Sequence, residues 1–160
     1  MPGKSPEFAN IEEELVALFA RLNGELPPGV SSLNVNHTSS MGVVLRLIPS
    51  NPKAAEVWVH AENGFGRVDI GFGDYSPTWE LPIEGENPGA NKQELLEELA
   101  AMCKAVIAGN CQHHRGFLSV SGSIQVDGRP YKVTHLPELR TKPPLHGTRK
   151  YDPYVSPVAR

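Results

Sequence analysis

The stretch 56–73, EVWVHAENGFGRVDIGFG, constrains this chain more than any other, because its parity admits one hairpin register. Val57, Val59 and Ala61 alternate with Trp58, His60 and Glu62, and Val68, Ile70 and Phe72 alternate with Arg67, Asp69 and Gly71. Side chains of a strand point to opposite faces in turn. Setting the six apolar residues opposite one another leaves 63–66 as the turn, a common hairpin length. The other face then pairs Glu62 with Arg67, His60 with Asp69 and Trp58 with Gly71. Opposite charges, and an aromatic over a glycine, are favourable cross-strand neighbours.

A second hairpin is signalled by Asp127-Gly128, which joins GFLSVSGSIQV to RPYKVTHL and opposes Ile124 to Tyr131, Gly122 to Val133 and Val120 to His135. Ser119, Ser121, Ser123 and Gln125 fall on its polar face with Lys132 and Thr134. MGVVLRLIP and TWELP read as further strands, the latter with Trp79 and Leu81 apolar and Glu80 polar.

Two segments have helical periodicity instead. Phe8, Ile11, Leu15, Leu18, Phe19 and Leu22 form one stripe, opened by an Asn10/Glu13 capping box and stopped by a left-handed Gly24 before Pro27-Pro28. Leu95, Leu99, Met102, Cys103, Val106 and Ile107 form the other, capped by Asn91/Glu94 and ended at Gly109-Asn110. The expected fold class is α+β: a single domain, 1–136, in the order α-β-β-β-β-α-β-β. An antiparallel sheet of about five to six strands would carry both helices on one face. Residues 137–160, with five prolines and neither periodicity, read as an extended, basic, Pro-rich tail.

At 160 residues, the chain could bury about 70% of its unfolded surface without staples. Its first apolar segment is interrupted by Glu12, Glu13 and Glu14, unlike a secretory signal, and no run approaches the roughly 20 apolar residues of a membrane span. Two cysteines, Cys103 and Cys111, do not make a disulfide framework, so a reducing, cytoplasmic location is expected. Residues 1–136 hold ten Lys/Arg against sixteen Asp/Glu, a balance of −6, whereas 137–160 hold five against two, a balance of +3. An acidic body repels phosphate backbones, which disfavours nucleic acid as a partner.

The segment GNCQHHRGF, 109–117, gathers a thiol, two imidazoles and a guanidinium. Zinc needs four converging ligands, and Cys111-x-His113 supplies one pair, with His114 pointing away and only distant His60 or His135 to complete it. Cys111 also follows a helix C-terminus, whose negative dipole end raises a thiol pKa. The segment therefore reads as a polar connecting loop without an activated nucleophile, with no metal and no cofactor expected; Cys111 is expected to react faster than Cys103 only because Cys103 lies on the inward helix stripe. Neither Gly64-Phe65-Gly66 nor Gly71-Phe72-Gly73 completes a phosphate loop, and SVSGS lacks the nucleophile elbow. His37 and His146 fall in loop-like stretches, and His135 reads as a half-buried strand residue.

The remaining candidate is the polar face of the first hairpin: Trp58, His60, Asp69 and Glu80, with Glu62 and Arg67 beside them. An aromatic ringed by charge on a solvent-facing sheet suits an interaction patch. No catalytic residue is assigned, because no nucleophile joins His60 and Asp69. The expected function is a non-enzymatic protein-binding module, with self-association as a homodimer open. Its element order is similar to that of some small bacterial toxin-neutralising immunity proteins, an analogy of fold that does not fix function. The rival expectation is a small enzyme or ligand binder using His60, Asp69 and Glu80.

Overall fold

The structure, a computed structural model, describes residues 11–38, 42–61, 67–73, 79–82, 88–115, 119–135 and 147–155. The first half of the chain forms α1 (Ile11–Glu25), β1 (Ser31–Thr38), β2 (Gly42–Pro49), β3 (Val57–Ala61), β4 (Arg67–Phe72) and β5 (Trp79–Pro82). The second half forms α2 (Pro88–Ile107), β6 (Cys111–Arg115), β7 (Val120–Val126), β8 (Arg129–His135) and β9 (Gly147–Lys150). No helix among the described residues is long and apolar enough to cross a membrane.

Among the described residues the strands make two antiparallel sheets instead of one: five strands in the order β1-β2-β3-β4-β5, and four in the order β8-β7-β6-β9. In the first sheet Val57 faces Phe72, Val59 faces Ile70, Ala61 faces Val68, Trp58 faces Gly71 and His60 faces Asp69, the register the parity demanded. Glu62 and the turn 63–66 lie outside the described residues. Val43, Leu45 and Leu47 of β2 continue the same apolar face, and all nine of these core residues are buried. Leu15, Phe19 and Leu22 of α1 cover it near β1 and β2. Leu99, Met102, Cys103 and Val106 of α2 reach both β3 and β7, so one continuous core joins the sheets. Each such aliphatic or aromatic side chain contributes about 1.5–3 kcal/mol on burial.

Local chemistry sets the ends of the elements. Helix α1 runs through Gly24 to Glu25, one residue beyond the expected stop. Leu26 precedes a proline and is disfavoured in the helical region, so Pro27 ends the helix without a left-handed glycine there; the positive φ falls later, at Gly29 (82°). Helix α2 begins at Pro88, ahead of the expected Asn91 cap, a first-turn position suited to proline's fixed φ. It ends at Ile107 and is capped by Gly109 (φ 79°), with the Asn110 N–H donating to the Ala105 carbonyl at 2.9 Å and the Gly109 N–H to Val106 at 3.0 Å. Those two bonds are a Schellman cap. Asp127 (φ 49°) and Gly128 (φ 76°) both adopt left-handed backbone between paired Val126 and Arg129, the type I′ turn expected of Asp-Gly.

Four further expectations are corrected. The SSLNVNHT segment, including His37, is strand β1, paired along its whole length with β2. CQHHR is strand β6, not a loop. The tail reading of 137–160 does not hold for 147–155: β9 pairs with β6, and Tyr151 and Tyr154 are buried at 5% and 3% exposure. The Tyr154 hydroxyl donates to the Leu47 carbonyl at 2.9 Å and its N–H to Ile107 at 2.8 Å, while the Asp152 N–H donates to Lys53 at 3.0 Å. Two tyrosines supply the apolar area that the prolines seemed to deny. Ser121, expected on a wet face, is also buried.

Candidate functional site

Pleating carries Trp58, His60 and Asp69 to the face of the first sheet opposite its buried residues Val57, Val59 and Ile70. Val44, His60, Asp69 and Glu80 are successive register neighbours across β2, β3, β4 and β5. The adjacent row is Asn34, Arg46, Trp58 and Gly71. Arg67 stands opposite Pro82 on β5. The structure thus brings His60, Asp69 and Glu80 into one row and sets Trp58 beside them, as the sequence register required; Glu62 is outside the described residues.

The Trp58 indole lies against Gly71: a Cβ built on Gly71 would fall 2.6 Å from its Cε2 and 2.9 Å from its Nε1. Glycine is what leaves room for the ring there, and Trp58 is half-buried. Arg46, exposed, stands opposite Trp58 and binds Glu56 through Nε at 2.9 Å. Sequence reading missed this ion pair, although pairing Leu45 with Val59 would have revealed Arg46 beside Trp58. His60 and Asp69 are half-buried cross-strand neighbours. Among the described residues, no serine, threonine or cysteine stands in the row with them.

Grooves of about 520 and 320 Å³ lie away from this face. The larger is lined by Glu14, Leu18, Arg21, Leu96 and Glu97 between the helices, and the smaller by Leu22, Leu26, Ile107 and Val155 at their C-terminal ends. Lys92 Nζ bridges to Glu14 at 3.2 Å beside the larger one, a partly exposed contact worth about 0–1 kcal/mol.

The reactive-looking segment has a structural role. In β6, Cys111 and His113 point inward and His114 outward, where its Nδ1 lies 2.9 Å from the Thr148 hydroxyl. His113 is only 4% exposed, stacks on Phe72 at 4.3 Å and 5°, and has Nδ1 2.7 Å from the Tyr151 hydroxyl. Tyr151 meets both rings edge-on, and Arg149 lies 5.0 Å from its centroid. His113 therefore links β4, β6 and the C-terminal segment. Nothing local in the sequence marks Tyr151 as its partner. Both thiols are free and buried, and desolvation pushes each up to about 12. Cys111, at 5% exposure, is thus not the accessible thiol its flanking polar residues suggested. Among the described residues no three His, Cys, Asp or Glu side chains cluster as a metal would require.

Compared with protein-family models, curated proteins and solved structures, the chain finds no significant match in any of the three.

Proposed function

We propose that this chain is a non-enzymatic interaction module that presents the outer face of its five-stranded sheet, centred on Trp58, to a partner protein. The observation that carries this reading is the indole packed against Gly71, with Arg46 beside it and the His60–Asp69–Glu80 row adjoining. A half-buried aromatic already packed against the sheet loses little entropy on binding, and charges at its rim steer encounter more than they add affinity. The excess of acidic residues in 1–136 suits a basic partner surface, and an inhibitor or toxin-neutralising role of the immunity type is compatible with such a surface.

The rival reading, an enzyme or ligand binder, has the shared row of His60, Asp69 and Glu80 in its favour. Against it, the row lies on a sheet face away from both grooves and has no described nucleophile alongside. The deciding experiment is affinity capture from the native host with the wild type, Trp58→Ala and His60→Ala, followed by titration of the recovered partner. Trp58→Ala should weaken binding by about 2 kcal/mol or more, and His60→Ala should leave capture intact. A substrate turned over by wild type and lost with His60→Ala would overturn the proposal in favour of its rival.

A further inference from the structure

Among the described residues the two sheets present four edges, and three of them carry the features that block strand pairing. β5 is four residues long and ends in Pro82; β8 contains Arg129, Pro130 and Lys132; β9 is four residues long and contains Arg149 and Lys150. Short edges, prolines and basic side chains are how natural sheets prevent edge-to-edge association. β1 differs from all three. It has eight residues, SSLNVNHT, without a proline, an acid, a Lys or an Arg, and it pairs with β2 along its entire length. Asn34, Val35, Asn36 and His37 are exposed, Val35 at 37%.

We propose that β1 pairs with β1 of a second copy, antiparallel about a two-fold axis at Val35, to make one ten-stranded sheet. The strand is self-complementary in that register. Val35 meets Val35, Leu33 meets His37, and Asn34 meets Asn36, whose amides both donate and accept hydrogen bonds. Val35 shares the helix-side parity of buried Leu45, so the two valines cover each other beside the existing core. The neutral edge sets no like charges opposite one another, although the whole chain carries −3. A charged peptide strand, by contrast, would find no complementary charge on it.

A two-fold axis normal to the sheet keeps both outer faces on the same side. The two Trp58 residues would then lie five strand spacings apart, about 24 Å, on one continuous surface. The pairing does not depend on whether that surface binds a partner.

Sedimentation equilibrium of the full chain, followed by oxidation of Val35→Cys, tests this. The wild type should show a concentration-dependent dimer of the 17.4 kDa chain. Val35→Lys, which sets two ammonium groups at the axis, should be monomeric and folded. Val35→Cys should cross-link under mild oxidation far faster than Asn34→Cys, whose partner in this register is Asn36; the native thiols are buried and do not compete. A wild type that stays monomeric over a wide concentration range overturns the proposal, as does a Val35→Lys variant that still dimerises. If Val35→Lys does not fold, the cysteine comparison decides: equal or absent cross-linking at both positions rejects the pairing.

Discussion

Removing the chain after Leu139 tests how the fold is closed. The cut deletes β9, Tyr151 and Tyr154. Losing a buried aromatic to alanine costs about 3–5 kcal/mol, so the two tyrosines together account for roughly 6–10 kcal/mol before the β6–β9 hydrogen bonds are counted. Domains of this size have about 5–15 kcal/mol in total. The truncated chain should therefore lack a cooperative transition in urea, followed by far-ultraviolet circular dichroism and tryptophan fluorescence. Tyr154→Phe calibrates the effect: losing the hydroxyl bond to Leu47 should cost about 1–2 kcal/mol, a fall of about 2–7 °C in Tm. A truncated protein that unfolds cooperatively at the wild-type midpoint would refute the reasoning, because the segment would then add nothing to the core.

Gly71→Ala should cost about 1–3 kcal/mol and shift tryptophan emission, since the new Cβ displaces the Trp58 ring; an unchanged spectrum would contradict the packing. Gly109→Ala, at φ 79° and with Pro153 against the site, should destabilise by about 1–2 kcal/mol or more in thermal melts. Burial holds both thiols at about 12 against an ordinary 9.0, so the folded chain keeps protons that the unfolded chain releases. That stabilisation is complete below pH 9 and is lost as pH rises toward 12. Urea midpoints should fall across that window and fall less with Cys103→Ala, and a thiol reagent should label both cysteines only on unfolding.

The two hairpins were legible because parity and turn chemistry are local: Val57 to Phe72 specifies its own register, and Asp127-Gly128 specifies its turn. The strands that escaped were those whose support is distant. Asn34 and Asn36 lower the strand propensity of β1, which is held by pairing to β2. CQHHR reads as polar until β7 and β9 flank it, and β9 is a charged four-residue strand contributed by a proline-rich segment. Missing β6 and β9 merged two sheets into one. The same locality divides the sites. Trp58, His60 and Asp69 share a hairpin and could be placed from sequence, whereas the His113–Tyr151 contact spans 38 residues and had no sequence signal.

Hydroxyl-radical footprinting of Trp58, with and without the captured partner, tests the interaction surface most directly. Oxidation of the indole should fall several-fold in the complex, while Val155, 44% exposed near the helix C-termini, should be labelled as before. Equal labelling of Trp58 in both states, with protection on α1 and α2 instead, would contradict the account and move the interface to the opposite side of the sheet.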